Sequence, residues 1–324
     1  CSKYLWITFN DKLKIPPTDS ATQFVFDQGH EVGEYAKKLF PDGIDVPYVG
    51  FRESIAQTES LLPQRKPLFE ASILASDLYA RIDILNPVDG DGWDIIEVKS
   101  TTSLKDEHIW DASFQKYCCE KAGQKIRKCH LMYLDNEYVR DGELDLNELF
   151  HIENISDQVD AIYGEVPAKI AEIFKTIAQK NCPDVPIGMQ CLQPYECPLK
   201  DQCWSFLPKR SIFNLYWLGK EKKFELLQQG IKTIEEIPAD YQLTDKQQIQ
   251  RHTIRENSVH VDREEIASFL RTLKYPLYYL DFETFNPAIP LHDGTRPYQR
   301  VTFQYSLHVV KEKDGPMEHF SFLA

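Results

Sequence analysis

Two acidic residues and a lysine in adjacent strand-like segments form the strongest chemical pattern in the sequence. Asp83 lies in the apolar segment ARIDIL, and Glu97 and Lys99 lie two residues apart in IIEVKS. Residues two apart in a strand point to the same face, so pairing of the two segments would bring the three side chains to one patch. Two carboxylates and the backbone carbonyl of Val98 are good ligands for Mg²⁺ or Mn²⁺. A nearby lysine can orient an attacking water or stabilise charge that develops on a phosphate.

The same three residues have a simpler interpretation, an exposed strand face that carries a salt bridge, because charged side chains mostly lie outside. Their placement on adjacent strands, after one helix and before another, favours the metal site. The first helix carries His30, with Glu34 one turn later, on the face opposite its apolar stripe. Taken alone, His30 would be interpreted as an ordinary surface histidine.

The cysteines define a second candidate site. Three of the eight follow the spacing Cys191-x5-Cys197-x5-Cys203 in the turn-rich segment GMQCLQPYECPLKDQCW. Zinc sites and 4Fe–4S clusters commonly need four ligands, and Cys1 is the best candidate for the fourth. The remaining cysteines are predicted to be small buried hydrophobic residues: Cys118, Cys119, Cys129 and Cys182. Without a recognisable leader, this composition favours thiols or metal ligands in a reducing compartment, the cytoplasm, over disulfides.

The elements that must position these residues alternate between helix and strand. The sequence predicts a helix over 28–40, strands over 67–74, 77–85 and 93–100, a helix over about 105–122 and a strand over 128–134. The turn signal NPVDGDG joins the second and third strands into a hairpin. This order is typical of an α/β sandwich with a mixed sheet flanked by helices.

Changes of pattern along the chain predict three domains. Residues 1–207 contain the acidic pair and the cysteines, residues 208–272 form a small helical unit, and residues 273–324 return to strands. In the last segment, Asp281 and Glu283 lie on one face of the strand LYYLDFETF. About 50 residues are too few to complete an α/β domain of ordinary size, so we expect only its beginning here.

The segments GHEVGEYA, ARIDIL, EVKS and DASFQKYCCEKAG together resemble the RecB-like branch of the PD-(D/E)XK nucleases. The resemblance implies a restriction-endonuclease-like core in which His30, Asp83 and Glu97 hold metal and Lys99 is catalytic. The family also has a Q-x3-Y motif on the following helix. Gln115 matches its first position, but Cys119 stands where the tyrosine is expected, so the assignment of Gln115 as a site residue depends on an imperfect match.

A distant N-terminal cysteine combined with a C-terminal triplet resembles the iron–sulfur RecB-like exonucleases, including CRISPR-associated members and AddB-type helicase–nucleases. This resemblance implies a 4Fe–4S cluster on Cys1, Cys191, Cys197 and Cys203, which would staple the first and last elements of the nuclease lobe together. The first spacing here is longer than the family's C-x2-C, and zinc remains the main alternative because it also favours thiolates.

The trailing segments carry weaker resemblances. YYLDFETF is similar to the first motif of DEDD exonucleases, which have an RNase H-like fold and bind metal through a D-x-E pair, here Asp281 and Glu283. The segment around HDGTRPYQRVTFQYSLH resembles an uncharacterised RNase H-like domain fused behind RecB-like nucleases. Residues 208–272 resemble a helix-hairpin-helix module with nearby lysines, although a solvated helix face is the commoner explanation for such a run: Lys220, Lys222 and Lys223.

The net charge of −13 argues against a protein that binds nucleic acid through phosphates. Metal-dependent nucleases weaken this objection, because a divalent cation offsets their carboxylates. No run of apolar residues approaches membrane-spanning length. The sequence therefore predicts a Mg²⁺- or Mn²⁺-dependent DNA exonuclease that acts on single strands or duplex ends. A non-catalytic nucleic-acid-binding module and an iron–sulfur or zinc protein that mediates protein assembly are the alternatives.

Overall fold

The computed structural model describes residues 1–324. In chain order the helices and strands are α1 (Ser2–Asn10), α2 (Ser20–Lys37), β1 (Ile44–Asp45), α3 (Phe51–Leu61), β2 (Leu68–Ala75), β3 (Leu78–Pro87), β4 (Gly92–Lys99), α4 (Asp106–Lys121), β5 (Lys125–Leu134), α5 (Leu146–Leu149), β6 (Phe150–Asn154), α6 (Ser156–Tyr163), α7 (Val166–Ile177), α8 (Lys200–Trp204), α9 (Lys220–Gln228), α10 (Asp245–Arg255), α11 (Arg263–Thr272), β7 (Leu277–Phe285), β8 (Val301–Val310) and β9 (Met317–Leu323). None of the helices combines the length and the apolar character needed to cross a membrane.

Six strands form one mixed sheet in the order β1-β2-β3-β4-β5-β6. The pairs β1–β2 and β4–β5 are parallel, and the pairs β2–β3, β3–β4 and β5–β6 are antiparallel. The parallel pair β4–β5 needs a crossover connection, which α4 supplies. The predicted α/β class with a mixed sheet is therefore confirmed.

Helices pack on both faces of this sheet. On one side, Val32 of α2 packs in the same buried cluster as Ile96. On the other side, Ala112 of α4 packs with Ile95 and Leu131. Because Ile95 and Ile96 are consecutive in β4, they point to opposite faces, which places α2 and α4 on opposite sides of the sheet. Fully burying such aliphatic side chains stabilises the fold by about 1.5–3 kcal/mol each, so both helices are firmly anchored.

The main predicted elements are confirmed, with shifted ends. The helix predicted over 28–40 begins earlier, at Ser20, where the carboxylate of Asp19 accepts a hydrogen bond from the Thr22 amide at 2.7 Å. Its first turns expose Phe24 and Phe26 and have no buried face, so apolar periodicity could not reveal them. The sequence analysis also missed α3 and the short edge strands β1 and β6. Only one residue of β6 is buried, which leaves little strand pattern in its sequence.

The chain forms two compact units, each assembled from separated stretches. The first contains Cys1–Pro17, Glu172–Leu277 and Val309–Met317, and the second contains Thr18–Ala171, Tyr278–His308 and Glu318–Ala324. The first unit has a small helical core that includes Ile212, Leu226 and Ile234. The second unit contains the six-stranded sheet. Strands β7, β8 and β9 form a separate three-stranded sheet in that order. The three domains proposed along the sequence remain a prediction.

Candidate functional site

The sheet divides at the position of Asp83. Pairing between β3 and β4 runs from Pro87↔Trp93 to Ile84↔Ile96 and then ends, whereas β3 continues to pair with β2. At this fork the Asp83 carboxylate accepts a hydrogen bond from the Val98 amide at 2.8 Å, which replaces the missing ladder bond. A buried backbone donor needs a partner, so the fork fixes the position of the Asp83 carboxylate.

Glu97 and Lys99, on the other branch of the fork, meet two residues of α4. The Lys99 ammonium lies 2.7 Å from a Glu97 carboxylate oxygen and 2.7 Å from Asp111. Gln115 donates from Nε2 to the second Glu97 oxygen at 2.6 Å. Asp111 and Gln115 are one helical turn apart, and Glu97 and Lys99 are two strand residues apart, so one face of α4 matches one face of β4.

The simpler interpretation of these residues was an exposed strand face that carries a salt bridge, and the structure does not show such a face. The ion pair between Glu97 and Lys99 does exist, but Glu97 is only 3% exposed. Gln115 is buried as well, and its Oε1 atom has no hydrogen-bond partner. A buried acceptor without a donor is uncommon in proteins, so it indicates a place where a further polar group would be stabilised.

The electrostatics of the fork are dominated by burial. Burial raises the pKa of Asp83 well above its usual range, and the neighbouring negative charge of Glu97 raises it further. Burial also raises the pKa of Glu97, against the opposing charge of Lys99. For Lys99, burial lowers the pKa, but the charges of Glu97 and Asp111 outweigh this effect and raise it overall. Lys99 is therefore held as an ammonium group and is unsuited to act as a base at neutral pH.

A cavity of about 150 Å³ opens on the α2 side of the fork. Its lining includes polar side chains from α2, β2 and the fork, together with Val98 of the fork: His30, Glu34, Lys37, Glu70, Asp83 and Val98. Three of the predicted metal-site residues, His30, Asp83 and Val98, thus share one cavity. Glu97 does not line it; its carboxylate is buried behind Val98, toward α4.

Two acidic residues of this cavity have no role in the sequence analysis. Glu34 follows His30 by one turn of α2, so its helical spacing was a usable signal, and it forms an ion pair with Lys37 at 2.6 Å. Glu70 had no such signal, because it interrupts the apolar strand β2. Its φ of +59° breaks the extended backbone, and its charge contributes to the raised pKa of Asp83. A left-handed residue inside a strand is strained, and such strain concentrates at functional positions.

The donor chemistry of the fork suits a hard divalent cation, although the side chains are not arranged around one. Among residues 1–324, no group of three or more His, Cys, Asp or Glu side chains is placed to hold a metal ion. The Glu97 oxygens are engaged by Lys99 and Gln115, and Asp83 is engaged by the Val98 amide. One buried and one half-buried carboxylate, both with raised pKa values, are nonetheless a site that added positive charge would stabilise.

The four predicted cluster cysteines are brought together in the first compact unit. Cys1, Cys191, Cys197 and Cys203 line one small, largely apolar cavity. Burial raises the pKa of Cys197, and the proximity of Cys191 and Cys203 raises it further. The α1 helix that follows Cys1 is fixed by hydrogen bonds from Trp6 and Asn10 to backbone oxygens of residues 179 and 177, at 2.8 and 3.0 Å. Cysteines almost two hundred positions apart in the sequence therefore line one cavity, without forming a group that is placed to hold a metal ion.

The remaining cysteines match the prediction of buried small residues, except for one. Cys118, Cys119 and Cys129 are buried in the core on the α4 side of the sheet. Burial raises the pKa of Cys118 and of Cys129 to about 12, so both stay neutral thiols. Cys182 is only partly buried.

The trailing candidate residues do not form a comparable site. Asp281 and Glu283 of β7 are both exposed. Lys220 and Lys222 are exposed, but Lys223 is half-buried, and its ammonium donates to the Phe213 carbonyl at 2.9 Å. The three lysines therefore do not present one continuous basic face.

Comparison with known proteins identifies a single segment. Residues 278–324 match the model of a domain of unknown function (DUF2779). No curated protein and no solved structure matches the chain. The matched segment contains Asp281 and Glu283 and begins one residue after β7 starts.

Proposed function

We propose that the chain is a Mg²⁺- or Mn²⁺-dependent DNA exonuclease whose six-stranded sheet is a restriction-endonuclease-like core of the RecB-like PD-(D/E)XK type. One observation carries the proposal: half-buried Asp83 and buried Glu97 lie on the two branches of a strand fork, with Lys99 locked as an ammonium beside Glu97. Ion pairs that only stabilise a fold are normally exposed, whereas Glu97 is buried, Asp83 is half-buried and the pKa values of both are raised, which is typical of catalytic positions.

In this proposal His30, Asp83, Glu97 and the Val98 carbonyl would hold the metal ion. Such an ion would polarise a phosphodiester oxygen and lower the pKa of a bound water. The chain's own groups act around it. The Lys99 ammonium would stabilise negative charge that develops on the phosphate, since a fixed charge in a buried site interacts more strongly than one in water. Asp111 and Gln115 would position Lys99 and Glu97, and the free Oε1 of Gln115 has room for one further donor.

Cleavage of labelled DNA tests this function. Purified protein is expected to shorten a single-stranded oligodeoxynucleotide and a duplex with free ends in Mg²⁺ or Mn²⁺, to leave a closed circle intact, and to lose activity in excess EDTA. Cleavage that persists in EDTA, or its absence in both metals, would reject the proposal. Binding of DNA without cleavage would favour the non-catalytic alternative. Absence of any affinity for DNA at low salt would favour a role in protein assembly, which the charge of −13 would also suit.

For the cysteine cavity we propose a 4Fe–4S cluster on Cys1, Cys191, Cys197 and Cys203, with zinc as the alternative. The support is the convergence of four thiols in one apolar cavity. The cluster would tie α1 to the segment around α8, and its binding energy would become folding energy.

Anaerobically purified protein is expected to be brown and to absorb broadly in the visible range. Cys191→Ser and Cys197→Ser are expected to lose most of this absorption and to unfold at lower temperature. The control Cys182→Ser, a partly buried cysteine outside the cavity, is expected to keep the wild-type spectrum. Colourless protein with one equivalent of zinc would establish the alternative metal. Protein without bound metal and with unchanged stability in all three variants would exclude both.

The matched segment 278–324 is proposed to belong to an RNase H-like, DEDD-type domain. The support is the D-x-E pair Asp281 and Glu283 on an apolar strand, inside a segment that matches a family of its own. A second metal site at these two residues would need further acidic ligands. A location in the cytoplasm and contact of residues 208–272 with DNA likewise remain predictions.

A further inference from the structure

An exposed aromatic surface lies beside the cavity at the fork. It consists of the exposed Tyr48, Phe51 and Arg81 and the half-buried Tyr79. The rings of Phe51 and Tyr79 are 5.1 Å apart, and the guanidinium of Arg81 lies 5.7 Å from the ring centre of Tyr48. Tyr48 is 56% exposed and Phe51 is 45% exposed, so their rings keep free area although both contact a neighbour. We refer to these four residues as the aromatic surface.

The aromatic surface is continuous with the cavity wall. Arg81 forms an ion pair with Glu70 at 3.0 Å, and Glu70 lines the cavity together with Asp83. Along β3, Tyr79, Arg81 and Asp83 follow one another at steps of two residues, a span of about 13 Å. A polymer whose backbone reached Asp83 would therefore pass Arg81 and the aromatic rings next.

Hydrogen bonds through Ser72 fix the position of Tyr79. Its hydroxyl hydrogen-bonds with Ser72 Oγ at 3.0 Å, and the Ser72 amide donates to Thr58 of α3 at 2.9 Å. The side chain of Phe51 then rests on a ring that is already held in place. Rigid exposed aromatic side chains lose little entropy when a planar ligand stacks on them.

We propose that the aromatic surface binds the unpaired bases of a single-stranded nucleic acid whose backbone enters the cavity at Asp83. This inference rests on the proposed nuclease function and adds the substrate feature that the site recognises. Aromatic rings stack on every base without regard to sequence, and an arginine beside them supplies both a stacking plane and a phosphate ligand. Bases paired within a duplex do not offer their faces, so the surface selects unpaired strands.

Charge supports this occupant over an apolar protein segment. The cavity lining carries three acidic side chains, Glu34, Glu70 and Asp83, and one lysine, Lys37, which is already paired with Glu34. A phosphate backbone that approaches this lining needs a further cation at the entrance. Arg81 is the cation at that edge, and its guanidinium is only partly neutralised by Glu70 because both side chains remain about one-third exposed, at 38% and 33%.

Fluorescence anisotropy on the 324-residue chain in EDTA, which prevents metal-dependent cleavage, tests the inference. The probes are labelled oligothymidylate, an abasic strand of equal length and a blunt duplex. Tyr48→Ala and Phe51→Ala are each expected to weaken oligothymidylate binding by about tenfold, the effect of losing one base-stacking contact. Their affinity for the abasic strand should not change. Tyr48→Phe and Phe51→Trp keep a ring and are expected to restore binding, and Phe9→Ala, which removes an aromatic side chain 62% exposed elsewhere, should match wild type.

Four outcomes would overturn the inference, and they separate it from the proposed function. Wild-type oligothymidylate affinity in both alanine variants, with cleavage intact in Mg²⁺, rejects the aromatic surface but keeps the nuclease. Equal losses on the abasic strand show a general structural effect. A wild-type protein that neither binds nor cleaves any probe rejects both proposals, and a change in sedimentation of the variants without a change in binding shows that the surface joins two copies of the chain.

Discussion

Replacing Lys99 with alanine is expected to lower the rate of Mg²⁺-dependent DNA cleavage by about 10²–10³-fold, the usual cost of removing one preorganised charge-stabilising group. Lys99 is held between Glu97 and Asp111 at 2.7 Å from each, so its charge is fixed before substrate arrives. Such a group contributes mainly in the transition state, and the loss should therefore appear in kcat with little change in KM. Initial rates on a single-stranded oligodeoxynucleotide measure both constants.

A matched lysine on the same helix provides the control. Lys116 of α4 also pairs with a carboxylate, Asp160, at 2.6 Å, but it lies outside the fork. Lys116→Ala is expected to cleave at close to the wild-type rate. Circular dichroism must show that Lys99→Ala is folded, because the substitution leaves two carboxylates without their cation. Full cleavage by folded Lys99→Ala, or equal losses in both variants, would contradict the assigned role.

Asp83→Asn is expected to abolish metal-dependent cleavage and, in the metal-free protein, to raise the melting temperature at neutral pH. The side chain of asparagine keeps an oxygen to accept the Val98 amide but carries no charge. Burial and the charge of Glu97 raise the pKa of Asp83 in the folded protein. In the unfolded chain, the pKa of an aspartate is about 3.9. Between that value and the folded pKa, the native state binds a proton that the unfolded state has lost. Stability of the wild type therefore falls as pH rises through this window.

Thermal melts in EDTA from about pH 4 to about pH 8 measure this effect. A change of about 1 kcal/mol in the free energy of unfolding shifts the melting temperature of a domain of this size by about 2–4 °C. The slope should be smaller in Asp83→Asn than in wild type. Asp91→Asn is a control of opposite sign: Asp91 is exposed, and its hydrogen bond with Lys125 lowers its pKa. Removing the charge of Asp91 should therefore not stabilise the fold. Saturating Mn²⁺ should raise the melting temperature of wild type but not that of Asp83→Asn. A destabilised Asp83→Asn protein that still responds to Mn²⁺ would show that Asp83 is structural.

The sequence was sufficient to predict the elements that carry the candidate site. Strands β2, β3 and β4 and helix α4 lie within a few residues of their predicted bounds, because apolar alternation and the NPVDGDG turn are local signals. The proximity of Glu97 and Lys99 followed from strand geometry alone. The imperfect Q-x3-Y match still located Gln115 beside Glu97, since the contact depends on the helix face and not on the missing tyrosine.

The arrangement of the site could not be predicted, because it depends on contacts between distant segments. Strand alternation predicted one shared patch, but the fork separates the cavity side, with His30 and Asp83, from the α4 side, with Glu97 and Lys99. The role of Glu70 in the cavity could not be predicted, because a single charge within an apolar strand has no distinctive pattern. Its left-handed backbone conformation has no local sequence signal either. The meeting of Cys1 with the later cysteines was inferred from a family resemblance, and no spacing rule would have given it.

Anomalous scattering from Mn²⁺ in crystals of the protein tests most directly whether the fork is a metal site. We expect one strong peak at coordination distance from carboxylate oxygens of both Asp83 and Glu97, with His30 or the Val98 carbonyl as a further ligand. The Lys99 ammonium is then expected to move away from at least one Glu97 oxygen. A peak bound only by Glu34 and Glu70 of the cavity, or no peak at the fork in saturating Mn²⁺, would contradict a metal site at Asp83 and Glu97.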